Sequence, residues 1–256
     1  MKEALIYFGV IFLVAAFMAG YEHQKSIDKD VLYQVSTLNA LMLGDYNGEV
    51  SFRELGKHGD FGIGTFENLD GEMIELDGKF YQIKVDGEVY DVSGKMKTPF
   101  SMVTKFNADK IVEINSKMDC ADLQDFISMK LESKNLFYAV RVNGRFNYIK
   151  ARSVPSQENG IPLSEAVALQ SIFEFYDVNG DMVGFNMPYF AEKINNPGWH
   201  FHFIIDDKKS GGHVLDCEIK DGAAYIDSMD KIFVDLPEND EFLKMNLAGG
   251  GAGDLE

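Results

Sequence analysis

Five histidines punctuate this chain, His23, His58, His200, His202 and His213, and the last three crowd into one stretch, Gly198-Trp199-His200-Phe201-His202-Phe203-Ile204-Ile205 followed by Gly211-Gly212-His213. The alternation is that of a β-strand, in which His200 and His202 point to one face and Trp199, Phe201 and Phe203 to the other. Asp206-Asp207-Lys208-Lys209 reads as a four-residue turn. Folding back across it pairs Ile205 with Ser210, Ile204 with Gly211, Phe203 with Gly212 and His202 with His213, and cross-strand partners share a face. All three imidazoles therefore converge on one side of one hairpin, and Gly211-Gly212 clears side-chain bulk beside them. A lone His-x-His pair is usually two incidental strand histidines; the third histidine, placed by register, turns the pattern into a ligand set. Three neutral imidazoles suit a divalent transition metal, zinc by default, and leave a coordination position open as catalytic sites do.

The metal does not name a reaction, because a three-histidine site serves hydration, hydrolysis and carbonyl chemistry alike. Two readings are open on these residues alone. One is a zinc enzyme, such as a hydrolase using metal-activated water. The other is a non-enzymatic zinc-binding module, although metal-capture segments are typically His-rich and exposed, and these histidines sit among aromatic side chains.

The elements that must carry the site are mostly strands. Phe80 to Val89 and Phe137 to Phe146 echo each other, each an alternating run into an Asp-Gly or Asn-Gly turn, and both predict hairpins. Asn47-Gly48 predicts another. Ser36 caps a predicted helix from Thr37 to Leu43, stopped by Gly44. Leu123, Phe126, Ile127 and Leu131 fall at helical spacing and predict a helix from Cys120 to Leu131. Ser164 opens a short helix through Gln170, and Ile172 to Val234 is strand-rich. Lys57 to Phe66 holds Gly59, Gly62 and Gly64, but after Gly62-x-Gly64 neither the third glycine of a G-x-G-x-x-G dinucleotide loop nor its helix follows, and the stretch reads as a close-packed strand entry. The fold class is α+β: two lobes of mixed and antiparallel sheet, rich in hairpins with few short helices, and the metal site on a hairpin of the C-terminal lobe. The lobes are expected at residues 28–155 and 156–247, divided near Pro155, with a glycine-rich tail over 248–256.

The net charge of −17 excludes a nucleic-acid partner on electrostatic grounds and means that an anionic substrate must be drawn by a local cation. Ala4 to Gly20 is almost wholly apolar, near the lower length of a membrane span (roughly 17–25 residues), and residues 1–27 are expected to be a signal peptide or an N-terminal anchor, giving a secreted or membrane-anchored protein. Met18-Ala19-Gly20 begins like a lipobox, but Tyr21 stands where the lipidated cysteine belongs. Cys120 and Cys217 are too few for a disulfide framework and read as two buried thiols or as a single disulfide.

Several further stretches, taken in order, resemble the α-acetolactate decarboxylases. They are Leu32 to Leu41; Gly59 to Phe66 with Leu69-Asp70-Gly71-Glu72; Lys97-Thr98-Pro99-Phe100; Asn135 to Ala139; Ala151-Arg152; and Pro197 to His202 with Ser210 to His213. The resemblance runs from Leu32 to Leu247. It implies zinc-dependent decarboxylation of 2-acetolactate to acetoin and carbon dioxide through a metal-stabilised enediolate, a step of acetoin and butanediol formation, in a two-lobed homodimer. The family's zinc histidines fall on His200, His202 and His213, its active-site glutamate on Glu72, its arginine on Arg152 and its threonine on Thr65. A glutamate of the family's C-terminal tail also reaches the metal, and Glu256 is the acid near that position. In this scheme Arg152 grips the departing carboxylate, Glu72 protonates the enediolate and Thr65 orients Glu72 or a substrate oxygen. Without the family pattern neither Glu72 nor Arg152 would stand out among 41 acidic and 24 basic residues.

Overall fold

The computed structural model describes residues 30–247. Its first elements are β1 (Val31–Val35), α1 (Leu38–Met42), β2 (Val50–Ser51), α2 (Phe52–Leu55), β3 (Phe61–Thr65), β4 (Glu72–Leu76), β5 (Lys79–Ile83), β6 (Val89–Asp91), β7 (Lys97–Thr98) and β8 (Ser101–Thr104). There follow β9 (Lys110–Ile114), β10 (Met118–Asp119), α3 (Cys120–Ser128), β11 (Phe137–Ser153) and α4 (Leu163–Val167). The chain then runs through β12 (Ser171–Met187), β13 (Gly198–Ile205), β14 (Gly211–Met229), β15 (Lys231–Asp235) and α5 (Asp240–Lys244).

Two sheets carry the architecture. The first has seven strands in the order β15-β1-β8-β3-β4-β5-β6, antiparallel but for the β1–β15 pair. The second is built from the long strands β11, β12 and β14 with β10 and β13, and β9 joins it on β14. Because β13 pairs with both β12 and β14, these strands close on themselves. Apolar side chains of both sheets interlock in one core: Ile63, Ile74 and Met102 from the first meet Val183, Phe185 and Ile204 from the second. The opposite face of the second sheet buries Phe201 and Phe203 with Leu123 and Ile127 of α3. The expected α+β class, largely antiparallel with few short helices, is what the chain adopts.

The cap of α1 is Thr37, whose hydroxyl accepts from the Ala40 amide, while Ser36 turns back at φ 61° one residue earlier. Asp119 caps α3, which ends at Ser128, short of the expected Leu131. The Lys84 to Glu88 turn closes the β5–β6 hairpin as expected. The second expected hairpin does not form: Asn143 and Gly144 lie inside the 17-residue β11, opposite Asp181 and Gly180 on one side and Ala223 and Gly222 on the other. An Asn-Gly pair is a turn signal only where neither flank has a better partner, and here Asn143 donates to the buried Asp181 carboxylate at 2.9 Å. Asn47-Gly48 is likewise irregular rather than a hairpin. The two sheets do not divide at Pro155, since β11 belongs to the second sheet and β15 returns to the first.

Two remaining expectations concern the cysteines and the N-terminal apolar stretch. Cys120 and Cys217 form a disulfide that ties the start of α3 to β14, so the free-thiol alternative falls. The expectation of a secreted or membrane-anchored protein is corrected: among the described residues no helix is long and apolar enough to cross a membrane, and the apolar stretch on which that expectation stood lies outside them.

Candidate active site

The histidine hairpin has the register read from the sequence. His202 faces His213, Phe203 faces Gly212 and Ile204 faces Gly211, and the Ile205 amide donates to the Ser210 carbonyl at 3.1 Å. One further strand completes a row, because His213 also pairs with Arg152 on β11. A bulge makes that pairing. Lys150 faces Asp216 but Ala151 faces Val214, so Leu215 is an extra residue that shifts His213 into line with Arg152. Gly212 is obligatory beside it: its φ is +144°, and a Cβ there would stand 2.5 Å from the Arg152 carbonyl oxygen. His202, His213 and Arg152 thus run side by side across three strands, on the face turned to the first sheet.

The first sheet answers with its own row. Thr65 on β3 pairs with Glu72 on β4. Glu72 follows a tight segment in which Asn68, Leu69 and Gly71 all have positive φ, and a Cβ on Gly71 would meet the Ile83 carbonyl at 2.4 Å. Three side chains lock that segment. Thr65 Oγ1 donates to the Gly71 carbonyl at 2.7 Å, Gln82 Nε2 donates to the Asp70 carbonyl at 2.6 Å, and Lys84 pairs with the Asp70 carboxylate at 2.7 Å.

Between the rows, the ligand atoms of His200, His202 and His213 lie within 4.8 Å of one another. His200 Nε2 and His213 Nδ1 stand 3.1 Å apart. Two nitrogens on one tetrahedral zinc ion at 2.0–2.1 Å would stand about 3.3 Å apart, so the His200–His213 pair has the separation that a shared ion would give. His202 Nδ1 lies 2.9 Å from the Met73 carbonyl, an acceptor, so Nδ1 carries the hydrogen and the Nε2 lone pair is left for the cluster. Burial lowers the pKa of all three imidazoles, His200 to about 4 and the other two well below their ordinary value, and the nearby Arg152 cation adds to the effect. Three neutral imidazoles at neutral pH are a ligand set for a divalent ion, and zinc fits the donor chemistry.

Glu72 approaches the same centre, with Oε2 3.5 Å from His202 Nε2. Burial raises its pKa to about 7, partly offset by the Arg152 charge. Among the described residues the Arg152 guanidinium keeps a buried Nε–H without a hydrogen-bond partner, while Nη1 donates to Gln170 Oε1 at 3.2 Å. A cavity of about 530 Å³ is bounded by Thr65, Glu72, Arg152 and the three histidines, with an apolar wall from Leu38 and Leu41 of α1, Phe100, and Leu163 and Val167 of α4. The structure therefore brings together every expected site residue except Glu256, which lies outside the described residues. Sequence reasoning missed Gln170, the Met73 carbonyl and the apolar wall. Only long-range packing puts them here, and no motif or spacing marks them.

The family model for alpha-acetolactate decarboxylase matches residues 32–249. An alpha-acetolactate decarboxylase of Methanosarcina mazei is 48% identical over 228 residues, covering 89% of this chain and 79% of that one. That of Bacillus subtilis is 40% identical and 88% of each chain is covered. The crystal structure of a Bacillus subtilis alpha-acetolactate decarboxylase superposes with a TM-score of 0.84 at 40% identity, covering 86% of this chain and 94% of that one. A Staphylococcus aureus protein described as similar to alpha-acetolactate decarboxylase gives 0.81 at 34% identity, covering 84% and 94%.

Proposed function

The chain belongs to the alpha-acetolactate decarboxylase family and is a carboxy-lyase acting on 2-acetolactate, and we propose that it works with a zinc ion held by His200, His202 and His213. One observation carries this reading: three neutral imidazoles and the Arg152 cation line the same cavity. A bound zinc ion would supply a Lewis acid for the electrons released when carbon dioxide leaves.

The rest is done by the chain. 2-Acetolactate carries its carboxylate on the carbon next to the ketone, so breaking that C–C bond sends the bonding pair toward the ketone oxygen and leaves an enediolate. Arg152 grips the carboxylate through its guanidinium and orients that bond. The apolar wall disfavours the charged carboxylate relative to neutral carbon dioxide. One proton is then needed per turnover, delivered to carbon to give acetoin, and Glu72 is the donor, buried beside the histidines. Thr65 acts on Glu72 through the Gly71 carbonyl rather than on the substrate. The burial of His202, 1% exposed, disfavours a metal-capture module, which would offer its ligands to solvent.

His202→Ala is expected to abolish zinc binding and acetoin formation together; a variant with full zinc occupancy by elemental analysis would defeat the ligand assignment. We further propose a homodimer. The first half of β12 has no strand partner on its outer edge among the described residues and exposes Ile172 and Tyr176 there. A monomeric mass in sedimentation equilibrium would refute this.

A further inference from the structure

Arg152 has five N–H donors and no acceptor, so whatever holds it must present oxygen. The group that does so is an amide. Gln170 Oε1 accepts from Nη1 at 3.2 Å, while Nε is buried and has no partner among the described residues. Gln170 is itself fixed. Its backbone N–H donates to the Val167 carbonyl at 3.1 Å, and the next residues, Ser171 and Ile172, pair with Ser153 and Arg152. The acceptor is thus delivered from the end of α4, which also walls the cavity, to the strand that carries the arginine. Its neutrality matters. In a chain with 41 acidic residues the usual partner of a half-buried arginine would be a carboxylate, which would satisfy the guanidinium bidentately and cancel its charge. An amide oxygen fixes the orientation without placing a negative charge in contact with the guanidinium, which the Glu72 carboxyl reaches only through space.

We infer that Gln170 is a positioning residue for this reaction, which aims the Arg152 guanidinium at the substrate carboxylate while sparing its charge. The inference rests on the reading of Arg152 as the carboxylate grip. Without the amide, Arg152 has to be ordered by the substrate itself, which weakens binding. With a carboxylate in its place, the substrate has to displace an internal ion pair.

The test is steady-state kinetics on 2-acetolactate for zinc-loaded Gln170→Met, Gln170→Glu and Arg152→Ala, with a melting temperature for each. Gln170→Met is expected to raise KM about tenfold, the loss of one charge-assisted hydrogen bond, with a smaller change in kcat. Gln170→Glu is expected to raise KM at least as much, although it offers Arg152 the stronger bond. A merely structural role predicts the reverse, with Gln170→Glu keeping wild-type kinetics, and that result would overturn the inference. If Gln170→Met does not fold, Gln170→Glu decides alone, since it retains the acceptor. Unchanged KM in both Gln170 variants with a raised KM in Arg152→Ala would refute the role of Gln170 and leave the grip standing. Unchanged KM in Arg152→Ala would remove the grip and the inference together.

Discussion

At Thr65 the proposed role of a single hydroxyl is to place the acid rather than to touch the substrate. Its proton is committed to the Gly71 carbonyl at 2.7 Å, and Gly71 is the residue before Glu72. Thr65→Val is expected to keep zinc bound and to lower kcat about tenfold, the effect of one lost buried hydrogen bond on the aim of the acid, while Thr65→Ser restores it. A Thr65→Val enzyme with wild-type kcat would remove this role. The histidines were legible in the sequence because their positions obey a strand period and a turn length, both local properties. Glu72 and Arg152 were legible only through resemblance to the family. Each is one charge among many, and the contacts that single them out come from other strands. Gln170 was not legible at all, since its partner is reached through β-pairing that no local pattern encodes.

Among the elements, the hairpin β13–β14 could be read to the residue, but β11 could not. Asn143-Gly144 carries the strongest short-range turn signal. It was overruled because β12 and β14 supply a partner on each side of it, and long-range pairing outweighs local preference when every backbone group is satisfied. The bulge at Leu215 was invisible for the same reason, although it decides which residue faces Arg152. The helix α3 adds a constraint of its own. Its disulfide to β14 closes a separation of 97 residues, and Trp199 Nε1 donates to Ser128 Oγ at 3.2 Å at its other end. Replacing both Cys120 and Cys217 by serine is expected to lower stability by about 2–4 kcal/mol, measured as urea unfolding of the two proteins under oxidising conditions. Equal midpoints would show that the crosslink contributes nothing.

At the scale of the whole molecule, the two-sheet architecture was legible from the density of alternating segments, whereas the return of β15 to the first sheet was not, because a parallel edge pair leaves no local trace. The acidic balance of the chain also has an interior counterpart. Glu75 is fully buried, neither of its oxygens has a hydrogen-bond partner among the described residues, and burial raises its pKa from 4.5 to about 8. The folded protein keeps a proton there that the unfolded chain releases. Stability from this group is therefore fully present below about pH 4.5 and is lost as pH rises toward 8. Asp227, raised by burial to about 7, acts in the same direction. The three clustered histidines act in the opposite direction at acid pH, so the Glu75 contribution is read by difference: the melting temperature of the native protein relative to Glu75→Gln is expected to fall from about pH 4.5 to 8, and a difference independent of pH would contradict it. The site depends on this whole frame, since its two rows of residues come from different sheets. The most direct measurement is acetoin and carbon dioxide release from racemic 2-acetolactate by the native protein, by protein stripped with a chelator, and by stripped protein resupplied with zinc. The structure predicts activity in the first, its loss in the second and its return in the third; undiminished acetoin formation from protein shown to be metal-free would contradict the three-histidine metal site on which this account rests.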